Sequence, residues 1–299
     1  MELVAGADIN PQLVAAAVER YGIQGFSDWR QMLEEANLHA MSICTPPFLH
    51  REMATEALSR GIHVLCEKPL AATTEDAEAI AAAAASAEAK LMIAYCHRWH
   101  PPIVKVKQLI DAGILGKPLF YRCTFAGWVE FSGNHRASLK QAGGGALMDN
   151  GSHATDLFLH LLGPIANVSC RAGTVLQDME TDDLAVMIFE GQNGCYGEVL
   201  VGYSLTGSHT EFMIVGEKGV LRIDNYWEGP VRFQPKGAQE WLEHQPPAGD
   251  RFQGEFAHFL AAIRGETELI STAQTALHVH RVITAAYADA RARGVAVPT

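Results

Sequence analysis

Along the first hundred positions, apolar residues gather in short runs of about five, separated by stretches in which they recur every three or four residues. Short runs of this kind read as buried strands, and the wider period as helices packed on them. The first run, "LVAGAD", ends in an acid. Asn10 and Pro11 then suit the N-cap and first position of a helix through "QLVAAAVERY" that stops at Gly22. Ser27 suits the cap of a second helix, "DWRQMLEEA". A strand at 40–44 follows, then the helix "FLHREMATEALSR" ending at Gly61, then the strand "IHVLC". Thr73 or Thr74 caps an alanine-rich helix to about Glu88, before the strand "KLMIAY". This alternation predicts an α/β fold, a Rossmann-type parallel sheet covered by helices on both faces.

The pattern changes after the helix "PPIVKVKQLIDAG". Strict alternation appears in "KPLFYRCTFAG", "DDLAVMIFE", "CYGEVLVGYS", "TEFMIVG" and "GVLRID", with turn signals "GQNG" and "GEKG" between them. These segments predict a mostly antiparallel sheet, and the helical segments "FQGEFAHFLAAIRG" and "TAQTALHVHRVITAAYADARARG" close the chain. The reading is two domains, 1–98 and 99–299: a dinucleotide-binding unit and a C-terminal α+β unit.

Charge narrows the partners. The 299 residues hold 34 Asp and Glu against 23 Lys and Arg, a formal charge of -11, which disfavours a nucleic acid or an anionic membrane and leaves a small molecule. Six widely spaced cysteines without a C-x-x-C pair suit a reducing cytoplasm. No run reaches the roughly 18 apolar residues of a membrane span, and no basic leader with an apolar core follows Met1. Thirteen histidines invite a metal reading, but none stands in H-E-x-x-H or a Cys/His cluster, so no metal is expected.

One motif is missing. A doubly wound dinucleotide domain has strand order 3-2-1-4-5-6 and places G-x-G-x-x-G in its first turn. No such motif occurs, and "AGGGALMDNG" lies too far along the chain to be that turn. Asp8 then fits the acid that accepts from the adenosine ribose hydroxyls, so the chain reads as starting one βα unit late, from a parent about 30 residues longer. Its neighbours would keep unpaired edges in mid-sheet. In the alternative, "LVAGAD" is itself the first strand of another α/β order, although "INPQLV" offers no glycine for a phosphate.

Two segments carry candidate chemistry. "HVLCEKPLA" delivers Glu67 and Lys68 at the carboxyl end of a strand, where open α/β sheets bind ligands; a surface lysine in a turn fits the same spacing. In "GGGALMDNGSHATDLFLHLLG", Asp149, His153 and Asp156 fall at i, i+4 and i+7 of one helix face. Asp149 and His153 can share a hydrogen bond that fixes the imidazole tautomer and raises its proton affinity, as a general base needs. A purely structural Asp–His pair has the same spacing.

Together "SICTPPFLH", "CEKPLA", "GGGALMDNGSHATD", "GEKGVLRID" and "EFAHFLAAIRG" resemble the Gfo/Idh/MocA family in order and separation over nearly the whole chain. The resemblance implies oxidation or reduction of a hydroxyl or carbonyl of a sugar, cyclitol or sugar nucleotide with NAD or NADP. It assigns substrate and oligomer contacts to the C-terminal unit, and implies homo-oligomers, dimers or tetramers, built on the C-terminal sheet. By resemblance Lys68 lies beside the nicotinamide and the reacting hydroxyl, Asp149 contacts substrate and His153 is the acid/base. Thr45, Pro46 and His50 line the cofactor edge, Glu67 and Pro69 frame Lys68 across a bond that can be cis, and Arg98 lies near cofactor and substrate. Asp8 is followed by Ile9 and Asn10, with no arginine for a 2'-phosphate, so NAD is favoured over NADP. The loop "GWVEFSGNHRASLKQ" offers Trp128, His135, Arg136 and Lys140 to a polar ligand. The missing turn keeps two other readings open: a non-catalytic sugar or dinucleotide-binding regulator, and an inactive shortened form.

Overall fold

A computed structural model describes residues 2–131 and 133–292. The N-terminal half alternates as the sequence predicts, with one added short strand, Gln24–Phe26, that the sequence pattern did not place. It runs β1 (Ala5–Ala7), α1 (Pro11–Tyr21), β2 (Gln24–Phe26), α2 (Trp29–Glu35), β3 (Ala40–Ile43), α3 (His50–Ser59), β4 (His63–Glu67), α4 (Thr74–Ser86) and β5 (Leu91–Ala94). Local rules set most ends. The Asn10 side chain accepts from the Gln12 N–H, Gly22 closes α1 in the left-handed region, and Thr73 caps α4 by accepting from Asp76 N–H. The second cap is Asp28 rather than Ser27; its carboxylate accepts from Arg30 N–H.

The parallel sheet is in two pieces. β1 pairs only with β2, while β3, β4 and β5 form a separate three-stranded parallel sheet. Between them lies a cavity of about 570 Å³ lined by residues 5–8 of the first piece, residues 40–42 of the second, Trp29 and Met32 of α2, and Phe256 and Phe259. Residues of a parallel strand alternate in the side to which they direct N–H and C=O. Val4 and Asp8 bond toward β2 and His39 toward β4, so Ala5, Ala7, Ala40 and Ser42 direct theirs into the gap. Unpaired edges thus stand where the strand order requires. The alternative order for "LVAGAD" is not seen, because β1 has no second neighbour. No residue of α1 is buried, and Leu13 and Val18 face solvent.

The second half begins with α5 (Pro101–Asp111) and builds one large sheet. Its strands are β6 (Pro118–Trp128), β7 (Ile165–Gly173), β8 (Leu184–Gly191), β9 (Tyr196–Gly202), β10 (Ser204–His209), β11 (Phe212–Gly216), β12 (Gly219–Ile223), β13 (Val231–Pro235) and β14 (Leu242–His244). The order is β14-β13-β12-β11-β6-β9-β8-β7, with β10 also on β6, and every pairing is antiparallel except β6 with β9. α7 (Ala146–Leu162) covers one face, burying Leu147, Leu157, Phe158 and Leu161, and packs on α9 (Ala273–Ala292). A short α6 (Leu139–Ala142) precedes it, and α8 (Arg251–Ile263) packs beside the 96–99 turn. Among the described residues no helix is long and apolar enough to cross a membrane.

Candidate active site

β4 ends at the candidate site. Its buried Val64, Leu65 and Cys66 fix the strand, so the chain leaves the sheet at Glu67, and the following Lys68–Pro69 peptide is cis. His50 braces this turn from α3. Its ring nitrogens reach the carbonyl oxygens of Pro69 (3.0 Å) and Thr45 (2.9 Å), tying the exits of β3 and β4 together. The ring is fully buried and held neutral by burial, so His50 shapes the cofactor edge rather than lining it.

The opposite wall is α7, and the glycine run explains its position. A side chain on Gly143 would meet the Ala72 backbone, one on Gly144 the Tyr287 ring, and one on Gly145 the backbone of Asp182. These glycines let backbones approach each other rather than a phosphate. The start of α7 is already occupied by a carboxylate: Asp182 accepts from the N–H groups of Gly145 and Leu147, both at 2.8 Å, and from the Tyr287 hydroxyl at 2.5 Å. A negative group there also complements the helix dipole.

Across the gap the Lys68 ammonium bonds the Asp149 carboxylate, and also its carbonyl oxygen at 3.2 Å. The other carboxylate oxygen accepts from Arg136 Nε at 3.2 Å and from the Tyr203 hydroxyl at 2.7 Å. Burial pushes the Asp149 carboxyl up, but Lys68, Arg136 and Tyr203 more than offset it and hold it well below the usual carboxylate range. Lys68 and Asp149 side chains keep 11% and 18% exposure, enough to face a cleft of about 410 Å³. Thr45, Pro46, Glu67, Pro69, His135 and Arg136 share that cleft, and burial raises the proton affinity of Glu67.

The Asp149–His153 bond suggested by helical spacing does not form. Three donors, two of them cationic, take the Asp149 carboxylate, and a neutral imidazole four residues on cannot compete. His153 is 8% exposed and its Nδ1 has no partner. Burial first, then Lys68, His97 and Arg251, hold its proton affinity well below that of a free imidazole. The ring is therefore neutral at physiological pH, and the raised proton affinity expected from an Asp149 bond is replaced by a lowered one.

Arg98 and Asp156 lie deeper. The guanidinium bonds both Asp156 oxygens, at 2.9 and 2.6 Å, and donates to the Ile270 carbonyl oxygen. Both side chains are 2% exposed or less, so this pair fastens the 96–99 turn to α7. Asp8 stands apart from the cleft, exposed at the end of β1 beside the larger cavity, with one oxygen accepting from Asn10 N–H. Of the 127–141 loop, His135 and Arg136 reach the cleft. Tyr203 was not singled out from sequence; its only signal is strand parity, since it follows the inward Val199 and Val201.

For a dinucleotide the fit is good at two ends. Asp8 suits a ribose diol, and the Lys68–Asp149 cleft suits the nicotinamide end. The turn after β1 has no glycine, and Asn10 and Pro11 occupy the start of α1, so no backbone donors are offered there to a pyrophosphate. Among the described residues no group of three His, Cys, Asp or Glu could hold a metal ion.

Residues 1–95 match the oxidoreductase family with NAD-binding Rossmann fold, and residues 103–222 match the GFO/IDH/MocA C-terminal domain. Levoglucosan dehydrogenase of Pseudarthrobacter phenanthrenivorans is 33% identical over 252 residues, 74% of this chain. The match spans 64% of that relative's length, and 66% and 60% of two D-apiose dehydrogenases. Among solved structures, levoglucosan dehydrogenase in complex with NADH and levoglucosan superimposes with a TM-score of 0.90 at 25% identity, covering 97% of this chain and 88% of that one. The WlbA dehydrogenase of Bordetella pertussis, in complex with NADH and UDP-GlcNAcA, gives 0.85 at 26% identity, covering 100% and 90%.

Proposed function

Because the chain belongs to the Gfo/Idh/MocA oxidoreductase family, we propose that it transfers hydride between a carbinol carbon of a sugar, cyclitol or sugar derivative and NAD. The observation that carries this reading is the meeting of Lys68, from the end of β4, with Asp149 of α7 one turn before His153. His153, neutral and buried, takes the hydroxyl proton. Lys68 donates a hydrogen bond to the same oxygen as its negative charge develops, and Asp149, fixed by Arg136 and Tyr203, aims the ammonium. Bound NAD would supply the hydride acceptor, with Asp8 at its adenosine ribose and Thr45, Pro46, Glu67 and Pro69 around its nicotinamide end. Asp8 without a neighbouring arginine favours NAD over NADP.

We divide the chain at residues 98 and 99 into cofactor and substrate parts. The open face of the large sheet, where Val186, Ile188 and Tyr196 are exposed on adjacent strands, supports homo-oligomer formation through that face. A non-catalytic sugar- or dinucleotide-binding member is the second reading, which NADH binding without turnover would favour.

The test is titration with NADH, following tryptophan fluorescence and thermal stability together, then turnover on a panel of sugars and polyols. Saturable binding is expected, with Lys68→Ala and His153→Ala binding NADH normally but losing about 10²- to 10⁴-fold in turnover. Because the His153 proton affinity is depressed, the acidic limb of oxidation falls below the ordinary imidazole range, so activity persists as pH drops through about 6.5. Near-full activity of either variant overturns its role, and a folded chain that binds NADH without turnover supports the second reading.

A further inference from the structure

A general base is ordinarily aimed by a hydrogen bond to its second ring nitrogen. His153 lacks one, since its Nδ1 is buried without a partner. Something else must hold the imidazole plane. The ring of His97 lies against it, with centroids 4.1 Å apart and planes 27° from parallel. Tyr95 meets it edge-on at 6.1 Å. His97 is fastened in turn: its Nδ1 is 2.8 Å from the fully buried Tyr226 hydroxyl, and Phe125 and Trp227 pack edge-on at 5.2 and 5.5 Å. His100 also stacks on Tyr226 at 4.8 Å, 6.4 Å from the His97 ring, and reaches the Tyr226 carbonyl oxygen at 2.7 Å.

We infer that His97 is a positioning residue for His153, its ring, held by Tyr226, setting the plane of the acid/base in place of the missing hydrogen bond. The inference rests on the acid/base role given to His153 above. It adds an electrostatic consequence. The charged groups acting on His153 are Lys68 from the end of β4 and Arg251 from α8, both of which oppose a proton on it. Those acting on His97 are Arg251, His100 and Lys68, which together with burial keep that ring neutral. Beside Lys68 and Arg251, His97 itself lowers the proton affinity of His153, so it keeps the acid/base neutral as well as aiming it.

Three variants separate the ring from its hydrogen bond. His97→Ala removes both, His97→Phe keeps a flat ring, and Tyr226→Phe removes the pin alone. Two readouts are needed: kcat and KM across pH, and the titration of His153 by nitrogen-15 NMR of histidine-labelled protein, which does not depend on turnover. His97→Ala should lower kcat by about tenfold or more, leave the KM for NAD within about twofold, and raise the titration midpoint of His153, because a ring that buries it and lowers its proton affinity is gone. His97→Phe should restore most of kcat, and Tyr226→Phe should fall between. Should His97→Ala not fold, the Tyr226→Phe and His97→Phe titrations decide alone. The inference is overturned if the His153 titration is the same in all folded variants, or if His97→Phe is as impaired as His97→Ala. A wild-type chain without turnover in which the variants still shift His153 would sink the catalytic reading and leave the positioning role standing.

Discussion

Glu255 is a carboxyl group that the fold keeps from ionising. It sits in the second turn of α8, 4% exposed, with Oε1 lacking a partner. Burial first, then Glu67, push its pKa up from 4.5 to about 8, against the opposing pull of Arg251. The sign follows from linkage. Between those values the folded state holds a proton that the unfolded chain has released, so raising the pH costs stability. At about 1.4 kcal/mol per pH unit, the cost is about 1 kcal/mol at pH 5, about 2 at pH 6 and about 4 at pH 8. Glu255→Gln removes the titration while keeping shape and one acceptor. Denaturant unfolding followed by tryptophan fluorescence should show the variant gaining on the wild type by about 3 kcal/mol between pH 5 and pH 8. The buried histidines, whose lowered affinities make stability fall as the solution turns acid, are common to both proteins and cancel in the difference. A wild-type-to-variant difference that stays flat from pH 5 to pH 9 would refute the reasoning.

Two further predictions follow from packing. Arg98→Met leaves Asp156 unpaired in the interior and should cost about 3–5 kcal/mol, whereas Arg98→Met with Asp156→Leu should recover most of it; a double variant no more stable than Arg98→Met alone would show the pair to be a net stabiliser over an apolar replacement. Gly145→Ala drives a methyl group into the Asp182 backbone and should cost about 1–3 kcal/mol and shift α7, while Gly173→Ala, where a methyl meets nothing within 4 Å, should be nearly silent in the same unfolding assay.

Much of this molecule was legible because its signals are local. Asn10, Gly22 and Thr73 act on backbone groups within a few residues, so caps and helix ends can be read from the string, and the Asp28 cap was missed by one position only. The strands at 165–173, 231–235 and 242–244 were not read: "IANVSCRAG" does face Val168, Cys170 and Ala172 inward, but these are small residues and a register shift after Ile165 breaks the alternation, while the other two strands are only five and three residues long. The site divides the same way. Lys68 and the α7 face were visible from strand end and helical period, but what Asp149 bonds to is set by residues 81 positions before it and 54 after. The glycine run could be excluded from sequence as the phosphate turn, but its close approach to the backbones of Asp182 and Ala72 depends on distant residues and could not be read.

The divided parallel sheet bears on timing as well as architecture. Asp8 belongs to a β1–α1–β2 piece held by one short ladder, a helix with no buried residue, and Phe26 of β2 as its main anchor in the core, while Lys68, Asp149 and His153 belong to the densely packed remainder. Such a piece opens at a lower free energy than the rest, and its amides should exchange with solvent long before those of β4 or α7. A ligand that must touch Asp8 and Lys68 at once binds only the closed fraction, so its apparent affinity is weakened by that fraction. Its arrival should slow exchange at residues 5–26 far more than at the catalytic cleft. The two ends of one binding site would thus keep different clocks until a dinucleotide synchronises them.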